Sequence, residues 1–416
     1  MHFFSKAKNY KSHFKTYFLA FFIVFIALSM ITFPKESFNA AIQGLNLWWN
    51  VVFPALLPFF IVAKLLMGLG IAQFMGVLLE PLMRPVFNVP GIGAFGLCMG
   101  LASGYPMDAV ITNQLRQEKL CSQVEAERLL AFTNTADPIF MIGAVSVGMF
   151  GMPELGIILA LSHYIGSLII GIIFRFYGRS RDVIKDDVKK HKNNIIIRAF
   201  KALYKARTAD NRSLSVLLGD SVKSSMNTIL LIGGFIIVFS VFIRILTVVG
   251  VTDILGGFFE IFLSAIGFST TLSAAMVNGL LEIDLGALAA TQAYAPTSEK
   301  VAIVSAIIAW SGLSVHGQVA SIVIESGISM VPYVISRILH AILAAILSLL
   351  FLNYSPHFLK IISVPVMQNF SQPLSFTFWA HRFEQIGYLL LIFTALLITF
   401  GLIFHIGKSI LIYVRK

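Results

Sequence analysis

Residues 99–115 read MGLASGYPMDAVITNQL. The flanking sequence is apolar enough for a lipid bilayer, yet Gly104, Tyr105 and Pro106 stand in a row here and Asp108 follows two residues later. Proline removes a backbone donor and glycine loosens the chain, so this run breaks any helix that enters it. A carboxylate beside the break is costly in lipid unless it is paired or put to use. A second segment, 268–294, repeats the pattern with NGLLEID at 278–284. Split at such a break, each segment gives two half-helices of roughly ten residues that reach ~15 Å, half the hydrocarbon core. Irregular backbone at that depth survives only inside protein or beside water. Both segments therefore read as re-entrant helical hairpins whose tips lie near the bilayer midplane.

The rest of the chain agrees with a bilayer setting. Its 416 residues are 57% hydrophobic and 12% charged, with a mean hydropathy of +0.85, whereas soluble domains carry about a quarter charged residues. Several runs approach or exceed the roughly 18 apolar residues of a spanning helix, so the fold class is an all-α polytopic membrane protein. The run Tyr17–Phe33 follows a basic leader, but only Pro34, Lys35 and Glu36 come after it. Without a small-residue cleavage site it is an anchored first helix rather than a signal peptide. Cys98 and Cys121 offer neither a disulfide framework nor metal-ligand spacing. No nucleophile–base pair or metal cluster has suitable spacing, so the expectation is a non-enzyme with no metal and no cofactor beyond a coupling proton or cation. No G-x-x-x-x-G-K-[ST] loop is present, which leaves a gradient or another protein as the energy source.

The net charge of +11 is clustered: Lys6, Lys8, Lys11 and Lys15, then twelve Lys or Arg from Arg175 to Arg212, then Lys408, Arg415 and Lys416. Lys and Arg resist translocation, so these clusters mark cytoplasmic flanks and put both termini inside. Nucleic-acid binding would also need aromatic interleaving or a recognisable fold, so no nucleic-acid partner is expected. With the basic segments inside, about eight helices cross, at 17–33, 51–69, 124–150, 153–176, 226–249, 300–325, 329–352 and 385–407. An interfacial piece holds Trp48 and Trp49, and 71–88 and 251–267 read as surface helices.

A repeat runs through this path. At an offset of 180, Gly70, Gly76 and Glu80 face Gly250, Gly256 and Glu260; at 179, Gly100–Leu101 faces Gly279–Leu280; at 177, His163 faces His340. Each copy has an odd number of crossings, so the second is inverted relative to the first, a transporter architecture. The expected organisation is a leader and first helix at 1–38 and a first transport repeat at 39–176. A basic cytoplasmic linker at 177–213 leads to the second, inverted repeat at 214–352. An external tail at 353–384 and a C-terminal transmembrane helix at 385–416 complete the chain.

Two further breaks match the hairpin tips, FTNTADPIF at 132–140 and WSGLSVHGQ at 310–318. Pro138 cannot donate to the carbonyl of Asn134, which is expected to be left free. With inverted copies, all four breaks converge at one depth around a solute. The first tip contributes Ser103, Gly104 and Tyr105 to the substrate; the amides of Gly104, Tyr105 and Met107 start a half-helix and suit an anionic or carbonyl group, while the Tyr105 ring suits a flat one. Asn134, Thr135, Asn278, Ser311 and Ser314 supply hydrogen bonds. Asp137 and Glu282 are the expected seats of a proton or cation, and Glu282 is also an expected substrate contact. His316 titrates near neutrality and suits a carboxylate or a proton relay. Duller roles stand beside these. Asp108 and Asp284 cap half-helices or line the rim, and Asp137 caps the second half of its broken helix. His163 and His340 bond neighbouring carbonyls, and Arg337 pairs with Glu325 or is a counter-charge for substrate.

GLASGYPMDA (100–109), followed by EAERLLAFTNTADPIFMIGAVSVGMFG (125–151), resembles the YlbJ-type sporulation integral membrane proteins. That group lies within the nucleoside-recognition Gate family and is distantly similar to concentrative nucleoside transporters. The likeness is strong over 90–180 and extends across 40–352. It implies a secondary transporter moving dipicolinic acid (pyridine-2,6-dicarboxylate) out of the mother cell across the outer forespore membrane, by alternating access around a midplane site. In the related nucleoside transporters the substrate sits between two hairpin tips and two unwound helices, and trimers imply, by analogy, a homo-oligomer. The tip here lacks their polar Gln/Thr/Glu-type residues, so sugar recognition by a glutamate is not implied. The acidic surplus of Asp108, Asp137, Glu282 and Asp284 beside a dianion implies protonation or an accompanying cation, calcium among them. A nucleoside or other small-solute symporter, or a non-transporting scaffold of the spore envelope, are the alternatives.

Overall fold

The computed structural model describes Tyr17 and residues 20–178 and 195–354. The expected C-terminal helix, nearly all of the external tail and most of the basic leader lie outside the described residues. Among those residues the chain is helical, with no strand. Helix α1 (Ala20–Thr32) turns by 103° into α2 (Pro34–Leu47), where Pro34 fits a first-turn position that needs no amide donor. Helix α2 continues through a π-helical turn, Trp48–Val52, into α3 (Phe53–Gly68). The expected interfacial piece is therefore part of one rod from Pro34 to Gly68. The cause is Trp48, an amphipathic ring that reads equally as a membrane-surface anchor. It is buried, donates its indole N–H to the Ile229 carbonyl at 3.0 Å, and lies against the bare backbone of Gly233.

After α3 come α4 (Ile71–Phe87), the hairpin helices α5 (Gly93–Ser103) and α6 (Met107–Gln117), and α7 (Gln123–Thr133). A π-helical segment, Ile139–Met149, and α8 (Leu155–Phe174) complete the first set. Helix α9 (Ile195–Asp210) lies inside the expected linker and packs on α4. Its Ala199, Leu203 and Ala206 share one helical face, and Phe200 meets Phe74 at 5.0 Å between ring centroids. The second set is α10 (Leu214–Val248), α11 (Val251–Ala265), the hairpin α12 (Ser273–Leu281) and α13 (Ile283–Gln292), α14 (Thr297–Trp310), α15 (Gly312–Val323) and α16 (Met330–Tyr354). Helix α10 starts at Leu214, not at 226, because the polar residues Asp220, Ser221 and Ser224 form one stripe of a helix rather than a loop.

The two sets follow one another element by element. The rod 34–68 and α10 at 214–248 differ by 180 at both ends, and so do the starts of α4 and α11. Gly70 and Gly250 are the left-handed N-caps of α4 and α11, with φ of +85° and +77°. That conformation explains two of the matched glycines. The halves of each hairpin lie side by side, α5 on α6 and α12 on α13, so each returns to the side from which it starts. Helix α6 packs on α15, and α13 packs on Ile139–Met149. Such reciprocal exchange is what a two-fold relation between copies produces. Where α8 crosses α16, the matched rings of His163 and His340 lie 4.6 Å apart.

Among the described residues, four stretches are long and apolar enough to span a bilayer: α8, α10, the run Thr297–Ser326, and α16. Counting the bent pairs α1–α2 and α3–α4 as one span each raises this to six. The expected figure of about eight also includes 124–150, whose break leaves two short halves, and 385–407, outside the described residues.

Helix α7 lies at the centre, buried from Val124 to Thr133. Its polar residues are all engaged. Arg84 pairs with Glu125, Arg128 donates to the carbonyls of Asn88 and Tyr177, and Glu127 accepts from the Ser329 amide and Tyr177 hydroxyl. A capping box opens the helix, the Ser122 hydroxyl accepting from the Glu125 amide at 3.2 Å and the Glu125 carboxylate from the Ser122 amide at 2.8 Å. Ser122→Ala is expected to cost about 1 kcal/mol, read as a lower thermal midpoint in detergent. Ser122→Thr should recover most of it, and an unchanged midpoint for the alanine variant would rule the cap out as a stabilising contact.

Candidate functional site

The backbone at the end of α7 can be accounted for atom by atom. Residues 134–137 leave the helix, and Pro138 has no N–H to return. Side chains of α8 and α16 take up the released groups. Arg337, fully buried on α16, donates to the carbonyls of Asn134 at 2.6 Å and Ala131 at 2.5 Å. Ser167 donates to Phe132 O at 2.5 Å and Tyr164 to Ala136 O at 3.1 Å, while the Ala136 amide donates to His163 Nε2 at 3.0 Å. The Asn134 carbonyl, expected to be free, is thus committed to Arg337. Arg337 in turn is not paired with Glu325, which lies exposed in a short 3-10 turn. His340 donates from Nε2 to the His163 carbonyl at 2.8 Å and accepts at Nδ1 from Arg337 at 3.2 Å.

At the first hairpin tip Gly104 adopts φ +67°, ψ −165°, and a Cβ there would stand 2.8 Å from Asp137 Oδ2. The Tyr105–Pro106 peptide is cis. Tyr105 donates its hydroxyl to Ile308 O of α14 at 2.6 Å. Ser103 is buried, and its hydroxyl has no partner among the described residues. Asp108 is fully buried rather than at a rim: Asn134 Nδ2 donates to it at 3.0 Å, and Asn134 Oδ1 accepts from Tyr333 at 3.1 Å. Asp137 Oδ1 accepts from the Phe140 amide at 2.8 Å, the capping role. Thr135 bonds back to Thr133 O at 3.3 Å.

The second break falls between α14 and α15, where Ser311 and Gly312 are both left-handed, at φ +69° and +71°. Gly312 lies on the second hairpin tip, where a Cβ would stand 3.0 Å from Glu282 Cα, and Trp310 donates to Leu280 O at 3.0 Å. Glu282 caps α13 by accepting from the Leu285 amide at 2.9 Å. His316 donates from Nδ1 to Gly312 O at 2.7 Å, and its buried Nε2 has no partner among the described residues. Its ring packs between Trp310, at 4.3 Å, and Tyr333, at 5.1 Å. Ser314 is buried beside Gln318, and Asn278 is half-buried, its carbonyl accepting from the Glu282 amide at 2.7 Å.

A continuous chain of contacts therefore joins the two breaks: Asp108, Asn134, Tyr333, His316, Trp310 and the second hairpin tip. Of the expected site residues, it unites Asn134 and His316 directly. Gly104 meets Asp137, Tyr105 meets the end of α14, and Glu282 meets Gly312. Thr135 and Ser314 turn to their own segments, and Asn278 bonds within its own hairpin through its main-chain carbonyl. Tyr333 was not foreseen. It sits in an apolar run, and its one sequence signal is its place one turn before Arg337, whose guanidinium lies 5.6 Å from its ring centroid.

A polar cleft of about 800 Å³ opens beside this constellation, among α3, α4, α6, α9, α10 and α15. Asn113, Gln114 and Gln117 line it from α6, and Ser221, Ser224 and Thr228 from α10. None of the expected site residues lines it, but α6 is the second half of the first hairpin. At its edge Arg212 bridges Asp210 at 2.7 Å and Asp220 at 2.9 Å, and its hydrogen bonds hold the Asp210 carboxyl below the ordinary carboxylate range.

The solved structure of CNTnw in an inward-facing substrate-bound state aligns at a TM-score of 0.39 and 12% identity, over 80% of this chain and 86% of that one. The sporulation integral membrane protein YlbJ of Bacillus subtilis (strain 168) is 46% identical over 327 residues, which is 79% of this chain and 80% of that protein. The Gate family model, described as nucleoside recognition, matches residues 49–178 and 229–330, the stretches that hold both hairpins and both breaks. On these two matches the chain, an integral membrane protein with several apolar helices, belongs to the Gate nucleoside-recognition family.

Proposed function

We propose that this chain is a secondary transporter of dipicolinic acid, working by alternating access around its two matched breaks. In this reading it carries the dianion out of the mother cell across the outer forespore membrane, with both termini on the mother-cell side. The observation that carries the reading is the linkage of two helix breaks, one per repeat, through Asn134, Tyr333 and His316 inside an apolar bundle. Buried polar groups at such depth are costly without use or full pairing, and the hydroxyl of Ser103 and Nε2 of His316 have spare capacity. Membership of the Gate family and the likeness to a sporulation protein support a small solute handled during sporulation, and dipicolinate is the one this reading assigns. The free hydroxyl of Ser103, beside Gly104 and Tyr105 at the first tip, suits a carboxylate, and Asn134, Thr135, Asn278, Ser311, Ser314 and His316 suit the ring and second carboxylate. Asp137 and Glu282 seat the coupling proton or cation.

Radiolabelled dipicolinate uptake into vesicles tests this. Ser314→Ala and Asn134→Ala are expected to lower the initial rate by about tenfold or more while the protein still inserts and accumulates. Varying the proton gradient and calcium separately identifies the coupling. Uptake that persists in both variants, with normal spore dipicolinate, would sink the reading in favour of an envelope scaffold. Competition by uridine would transfer it to a nucleoside.

A further inference from the structure

Lys64 is the one charged residue of α3, in the run PALLPFFIVAKLLMG, and it lines the polar cleft. No ion pair or hydrogen bond engages its side chain among the described residues. The cleft's acidic groups are otherwise occupied, Asp210 and Asp220 by Arg212 and Glu118 by the Gln114 amide. A half-buried ammonium in so apolar a helix is costly when nothing offsets it. Gln73 lines the same cleft from α4, and its buried Oε1 likewise has no partner. Exposure falls along α6 from Gln117 through Asn113 to the buried Val110, so the cleft runs from the surface towards the hairpin. Its volume of about 800 Å³ falls within the range of small-molecule sites, roughly 300–1,000 Å³.

We propose that this cleft is an anion site in which Lys64 is the counter-charge for a carboxylate on a small flat ring, with Gln73 Oε1, an acceptor, orienting the ammonium rather than the anion. Only the identity of that ligand rests on the carrier reading; the site itself follows from an unpaired cation, and an amide oxygen able to orient it, lining one polar cleft. It lies apart from the hairpin tips, as a station the solute occupies before reaching them.

Binding to the full chain in lipid nanodiscs tests it with two probes of one shape, dipicolinate and the neutral pyridine-2,6-dicarboxamide. Dipicolinate affinity is expected to fall about tenfold or more in Lys64→Gln and to stay within about threefold in Lys64→Arg. The diamide should be indifferent to both substitutions. Equal dipicolinate affinity in wild type and Lys64→Gln overturns the site, as does an equal loss for the diamide, which would mark a packing role. Vesicle uptake on the same preparations separates the two readings. Lys64-dependent binding without uptake leaves the anion site standing and removes the carrier, whereas uptake with Lys64-independent binding does the reverse.

Discussion

Arg337→Met is expected to destabilise the protein by about 4 kcal/mol, taking two buried carbonyls left unsatisfied at roughly 1–3 kcal/mol each. Both carbonyls, Ala131 and Asn134, lie at the end of the buried helix α7, where no water can replace the guanidinium. A second loss compounds the first. Asp108 is fully buried and reaches Arg337 only through Asn134, whose side chain binds the carboxylate while its carbonyl binds the guanidinium. Removing the cation leaves that carboxylate without a compensating charge. At ~2–4 °C per kcal/mol for a large domain, the thermal midpoint in detergent should fall by roughly 10 °C. Arg337→Lys should recover little, because a single ammonium cannot serve two carbonyls and His340 from one fork. Ser167→Ala, which removes one bond to Phe132 O, should cost only about 1 kcal/mol. A methionine variant as stable as wild type would show that the break in α7 does not depend on α16.

Some of this was legible in the chain and some was not, for physical reasons. Lipid tolerates few interpretations of Gly-Tyr-Pro beside an aspartate, so both hairpins could be read from 91–115 and 268–294 alone. The repeat was legible because Gly70 and Gly250 occupy a backbone conformation that side chains disfavour. Trp48 was misread because an indole suits a membrane surface and a packed interior equally well, and only the distant Ile229 carbonyl decides between them. Helix α9 was hidden by its own cations: Arg198, Lys201 and Lys205 mask the small apolar face that rests on α4. The partner of Arg337 was beyond reach, since it is a main-chain carbonyl some two hundred positions earlier, which no side-chain chemistry announces. The cleft that holds Lys64 draws its lining from six helices and exists only once they are assembled.

Gly104→Ala is expected to abolish transport while leaving the helices in place. The residue sits at φ +67°, ψ −165°, a region essentially reserved for glycine, so a side chain costs on the order of 1–3 kcal/mol in backbone strain. Space is also denied. An added Cβ would stand 2.8 Å from Asp137 Oδ2 and 2.9 Å from Asp137 N, and the second of these is main chain that cannot swing aside. The tip must retreat from the broken helix, taking Tyr105 off the Ile308 carbonyl and disturbing the Asp137 cap on Phe140. Helices α5 and α6 pack on each other and on α7 away from the tip, so the protein should still insert and run as a single species. Gly151 provides the control: it has the same φ of +67°, but a Cβ there meets nothing within 4 Å. Gly151→Ala should therefore carry a strain of about 1–2 kcal/mol and transport normally. On the proposed carrier reading, the decisive measurement is dipicolinate uptake per inserted molecule. Near-wild-type uptake by Gly104→Ala, beside an equally mild Gly151→Ala, would mean that the close approach of the tip to Asp137 plays no part in moving the solute.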